Sequence, residues 1–186
     1  MHTKLLVTTN KRNAKTSIEA INYVESILGE DQSFCGEGGR FSSPVCDWFS
    51  MGGGWSGELT RATLDQKKLK EFWKEFEKQG LGWTNNTDKK EESQKKKSYA
   101  LFKKYFPKFK GIPPIYRNQY LGKHNDDAII LTKKIYDVLL KNYEDKSEWG
   151  VVKDEDGILR FVDLEEDEPE PSFVDNKWIV VVDYHW

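Results

Sequence analysis

An α+β domain, with a mainly antiparallel sheet and helices on one face, is predicted by three observations. Short apolar and β-branched runs lie at both ends of the chain, while an amphipathic helical segment occupies each of the two middle stretches. A strand followed by a helix opens the sequence, and three strand-like runs close it. The 186 residues are the usual size of one domain and can bury a core without metals or disulfides. A ferredoxin-like arrangement over residues 1–186, with a helical or disordered insertion at about 60–111, is the specific expectation.

Lys4 to Thr9 is compact, apolar and β-branched and ends at Asn10, which predicts a first strand followed by the basic turn KRNAK. Thr16-Ser17-Ile18-Glu19 then has capping-box spacing, and apolar residues recur with helical period until Gly29. Residues 29–43 are rich in Gly, Ser and charge and read as a loop. Val45 to Met51 reads as a strand, Gly52-Gly53-Gly54 as a bend, and Trp55 to Leu59 as the strand resumed. Leu64 to Gln79 is an amphipathic helix, with Leu69, Phe72, Trp73 and Phe76 on one face and lysines opposite. Residues 84–98 are nearly all polar and predict an exposed loop or a disordered insertion, followed by a short helix over Tyr99–Tyr105 that Pro107 ends. Asn125-Asp126-Asp127 looks like the cap of a helix from about Ala128 to Tyr143. Trp149–Lys153 and Ile158–Val162 flank the turn Asp154-Glu155-Asp156-Gly157 as a hairpin, and Trp178–Tyr184 is the last strand. Between them, DLEEDEPEPS reads as a solvated loop.

Composition narrows the function classes. With 29 basic and 31 acidic residues the net charge is −2, so the total favours neither nucleic acid nor an anionic membrane. No apolar run is long enough to span a bilayer, and MHTKLLVTT turns polar too soon for a signal-peptide core, which together predict a cytoplasmic protein. Cys35 and Cys46, with ten residues between them, match neither a zinc pair nor a redox motif. No cofactor or metal is assigned.

The segment Cys46-Asp47-Trp48-Phe49-Ser50-Met51-Gly52-Gly53-Gly54-Trp55-Ser56-Gly57 is the least ordinary stretch. Glycines let a backbone approach a ligand and aim N–H groups at an anion, and flanking tryptophans can stack on a planar ring. Asp47, Trp48, Gly52, Gly53 and Trp55 are therefore the candidate binding residues for a nucleotide-like ligand. A glycine-rich bulge between two core tryptophans is the equally weighted alternative, because the run lacks the Lys and following helix of a phosphate loop. The segment resembles a family of phage and bacterial proteins of unassigned activity, with an Asp-Trp-aromatic, two residues, Gly-Gly-Arg-Trp, small residue, Gly motif. Gly54 stands where that motif has Arg. Weaker likeness extends to Asp126-Asp127-Ala128 and Val182-Asp183-Tyr184-His185. The resemblance implies a recurring phage-associated fold.

Asp183 and His185, two apart on a predicted strand, share a face and are the candidate catalytic pair. His124, Asp126 and Asp127 form a second cluster that could join them. The lysines between 67 and 110, interleaved with Phe and Tyr, suit phosphate contacts and stacking, although Glu71, Glu75 and Glu77 weaken their field. The leading functional expectation is a small binding protein, phage-encoded by the resemblance, that captures a nucleotide-like ligand or inhibits a host defence protein. A phosphoester hydrolase using the His/Asp pair, and a nucleic-acid-binding module using the Lys-rich region, are the alternatives.

Overall fold

The computed structural model describes residues 2–30, 48–81, 88–110, 113–115, 125–142, 147–152, 159–161 and 175–185. Two compact units divide the chain: Met1–Ala62 with Asn118–Trp186, and Thr63–Arg117. The first holds the sheet and the second is helical.

In the sheet unit, β1 (His2–Asn10) begins two residues earlier than the apolar run suggests. Asn10 accepts the Arg12 N–H and starts a short 3-10 turn. The capping residues then open α1 (Ser17–Glu30) as the sequence predicts: Thr16 Oγ1 accepts the Glu19 N–H at 3.3 Å, and Glu19 accepts the Lys15 N–H at 2.8 Å. Strand β6 (Lys177–His185) pairs antiparallel with β1 along its whole length. On the other side of β1 lies β4 (Ser147–Val152), parallel to it, and β5 (Leu159–Phe161) closes that edge antiparallel to β4. The hairpin partners are therefore as expected, while the turn 154–157 falls outside the described residues.

Two short strands share the outer edge of β6. Strand β2 (Trp48–Met51) pairs with its Val182–His185 end, and β3 (Ala128–Ile130) with Trp178–Val180. The sheet order is thus β2-β6-β1-β4-β5, with β3 also on β6. This is the predicted α+β class with a mostly antiparallel sheet. The parallel β1–β4 pair is a feature that the wholly antiparallel ladder of a ferredoxin-like sheet lacks.

Helices cover both sheet faces rather than one, because β1 and β6 are apolar at successive positions and must be buried twice. Leu5, Val7, Val180, Val182 and Tyr184 pack against Ala20, Ile21, Val24 and Leu28 of α1. Leu6, Ile179, Val181 and Trp149 pack against Leu59 and Ala62 of α2 (Glu58–Thr63) and Tyr136 and Leu139 of α5 (Lys133–Lys141). Two local expectations change accordingly. Trp55 to Leu59 is not a strand, since Gly53–Trp55 forms a 3-10 turn and α2 starts at Glu58. Asn125–Asp127 is a 3-10 turn leading into β3, and the helix starts later, capped by Thr132, whose hydroxyl accepts the Ile135 N–H.

The helical unit is built by α3 (Gln66–Lys78) and α4 (Asp88–Tyr105). Leu69, Phe72 and Phe76 meet Leu101, Phe102 and Phe106, and the Phe72 and Phe102 rings lie edge-to-face at 5.6 Å. Residues 88–98, read from sequence as loop, are helical, because Lys, Glu and Gln are good helix formers even without an apolar face. Asp65 accepts the Lys67 and Lys68 N–H groups and so caps α3. Asp65→Ala should lower stability by about 1 kcal/mol, read as the shift in a urea unfolding midpoint, with Asp65→Ser close to wild type.

Candidate functional site

The outer edge of β6 explains the glycine run. Met51 is opposite Val182 and Ala128 is opposite Val180, so Gly52 and Asp127 both arrive beside Val181. The Gly52 N–H donates to Val181 O at 2.8 Å. A Cβ on Gly52 would lie 2.2 Å from Asp127 Oδ2, and one on Gly53 would lie 2.4 Å from the Asp183 Cβ. Both residues also have positive φ, +72° and +50°. Only glycine fits at either position.

Two buried carboxylates grip the loop that follows. Asp183, 2% exposed, accepts the Gly54 N–H through Oδ2 at 2.8 Å. Asp127, fully buried, accepts the Ser56 hydroxyl at 2.7 Å and the Gly57 N–H at 3.2 Å through Oδ1. Trp55 and Ser56 donate their N–H groups to the Gly52 and Gly53 carbonyls. Five of the six backbone donors from Gly52 to Gly57 are therefore spent within the chain. A phosphate approaching this backbone would meet occupied donors and two carboxylates, which is the reverse of an anion nest.

Asp126 accepts the Thr60 hydroxyl at 2.5 Å, tying the 3-10 turn to α2. Trp55, partly buried, packs against the apolar cluster that includes Leu59. Its ring lies 5.3 Å from the ammonium of Lys4, a side chain only 4% exposed and paired with Glu58 at 2.8 Å. The ion pair and the aromatic face together compensate for burying the lysine.

Asp183 also has a partner that the sequence did not suggest. His2 Nδ1 lies 3.0 Å from Asp183 Oδ1, with the imidazole side chain 53% exposed. Strand β6 includes His185, whose register position is opposite His2 and Trp48. The side chains of His185 and Trp48, and all of Asp47 and His124, fall outside the described residues. The site residues brought together are thus Gly52, Gly53 and Asp183, with Asp127, while Trp55 is partly buried against the apolar cluster of Leu6, Leu59 and Val181. His2, Lys4, Ser56 and Glu58 were missed. A signal for Lys4 did exist, since alternation from Leu6 places it on the same face of β1. The glycine loop, Asp127 and Asp183 converge here. The chain matches no family model, no curated protein and no solved structure.

Proposed function

We propose that the chain binds single-stranded nucleic acid through its helical unit. The observation that carries this is charge segregation. Residues 63–117 hold 15 Lys and Arg against 7 Asp and Glu, a net +8, so the net −2 of the whole chain leaves −10 on the remaining residues. No acidic residue occurs from Ser93 to Asn125, a stretch containing nine Lys and Arg.

Local structure turns that composition into a surface. Burial of the apolar faces of α3 and α4 against each other sends their lysines outward, and Lys95, Lys96, Lys97, Lys103, Lys104 and Lys108 are all exposed. Partly buried Tyr99, Tyr105 and Phe109 lie among them and offer ring edges and faces for base stacking. Arg117 is the lone Arg of the unit, which suits point-charge contact with phosphates rather than bidentate reading of bases. Each helix has three acidic residues, interleaved with the lysines on α3 and confined to the first turns of α4. Glu75 accepts a hydrogen bond from Gln79, which holds its carboxyl below the ordinary value, with Lys78 and Lys104 acting in the same direction. Nucleotide capture at the glycine loop lacks this support, because five of its six backbone donors are committed.

The test is fluorescence anisotropy with a labelled oligo-dT of about 20 nucleotides, titrated across a salt series. Binding should weaken linearly in log–log form, with a slope of about −0.7 per phosphate contacted. Absence of binding at low salt overturns the proposal. So does equal binding of poly-glutamate, which would point to an acidic protein partner.

A further inference from the structure

We infer, resting on the nucleic-acid reading of the helical unit, that Phe109 is a base-stacking subsite, so that the ligand is an unpaired strand carrying its bases rather than phosphate alone. Helix α4 stops at Tyr105, and Pro107 prevents its continuation. Phe109 follows in a turn, its N–H donating to Phe106 O at 3.0 Å. The residue thus stands beyond the helix end, between the exposed Lys108 and Lys110.

Three contacts hold it there. Phe102, fully buried, meets the ring nearly at right angles, with centroids 5.2 Å apart and planes at 84°. Lys103, in the last turn of α4, donates from Nζ to the Phe109 carbonyl at 2.5 Å, and the same ammonium lies 5.7 Å from the ring centroid. One lysine therefore ties down both backbone and ring, which lowers the ordering cost that a stacked base would otherwise meet. The ring itself is only partly buried, as a stacking surface must be. An ammonium has three donors and the carbonyl takes one, so Lys103 can also meet the phosphate beside the stacked base.

Tyr105 is the competing ring, packed edge-to-face on Phe72 at 6.0 Å with the Lys104 ammonium at 5.8 Å. Glu75 of α3, held below its ordinary value by Gln79 first and then by Lys78 and Lys104, shares the field of that lysine. A phosphate drawn to Tyr105 meets a carboxylate as well, whereas Lys103 is held by a neutral carbonyl and keeps its charge. Polyphosphate or an abasic strand satisfies the lysines and leaves the Phe109 ring uncovered. Any unpaired base covers it, because every base has a π-face.

The experiment uses the full chain and two labelled strands of about 20 residues, oligo-dT and an abasic strand of equal length, read by anisotropy. Oligo-dT should bind about tenfold or more tighter than the abasic strand. Phe109→Leu should remove most of that ratio while leaving abasic affinity and the salt slope as in wild type, because the phosphate contacts are untouched. Phe109→Trp, which keeps a ring against Phe102, should retain the ratio and so separates lost stacking from lost fold. Lys103→Met should shrink the ratio and Lys103→Arg restore it; an unchanged ratio in Lys103→Met ends its positioning role. Equal, salt-dependent binding of both strands by wild type overturns the subsite and leaves electrostatic binding intact, as does a Phe109→Leu protein with the full ratio. Binding of neither strand overturns the nucleic-acid reading itself.

Discussion

Gly53→Ala should lower the thermal midpoint of the chain by roughly 10 °C, with far-UV circular dichroism as the readout. Two penalties combine at this position. A left-handed conformation costs a non-glycine residue about 1–2 kcal/mol, and Gly53 sits at φ +50°. The new methyl would then overlap the Asp183 Cβ at 2.4 Å, a stem in the middle of the sheet edge that has no alternative position. Moving Asp183 breaks its bond to the Gly54 N–H and leaves a buried carboxylate short of a donor, which costs about 1–3 kcal/mol or more. The total of about 2–5 kcal/mol corresponds to about 10 °C for a chain of this length.

Gly80→Ala isolates the first penalty. Gly80 also has positive φ, +63°, but nothing lies within 4 Å of its added Cβ, so its cost should stay at about 1–2 kcal/mol. Gly29→Ala, in a helix with open space around it, should stabilise by about 0.5–1 kcal/mol. If Gly53→Ala proved no worse than Gly80→Ala, the aspartate clamp would not be the reason for the glycine run.

That clamp also marks where sequence reading stops. The outer frame was legible because α1 and α3 show helical periodicity that ends at glycine, while β1 and β6 are continuous apolar, β-branched runs. Failure came where long-range partners decided the local structure. Asn125-Asp126-Asp127 has the composition of a helix cap, yet its two carboxylates reach back to Thr60 and Ser56, and the backbone continues as strand against β6. Trp55 to Leu59 alternates as a strand should, but Gly57 at φ +82° turns the chain and α2 begins. In α4 the first turns are polar all round, so periodicity carries no information there and intrinsic propensity is the helix signal. Asp183 was recognisable as a polar residue in an apolar strand. Its contact with His2 required knowing that the first and last strands pair, which no local pattern encodes.

The helical unit offers a sharper comparison, because its two helices differ in how acids are mixed among lysines. Replacing Lys96, Lys97, Lys104 and Lys108 with Gln removes four charges from the stretch without Asp or Glu. Gln has nearly the helix propensity of Lys, and all four side chains are exposed, so the fold should be retained. The Lys96–Glu92 pair lost in the process is solvent-exposed and contributes little to stability. If each lysine meets one phosphate, the log–log salt slope should become shallower by about 3, and affinity at 0.1 M salt should drop some hundred-fold. The same substitutions at Lys67, Lys70, Lys74 and Lys78 remove a ridge opposite the buried Leu69, Phe72 and Phe76. Glu71, Glu75 and Glu77 flank that ridge, so fewer phosphates can be held there and the slope should change by about 1 or less. A larger effect from the α3 set than from the set at 96–108 would place the contact surface on α3. Equal, small effects from both would remove the electrostatic basis for nucleic-acid binding, since a net +8 that releases no counterions is only a solvated surface.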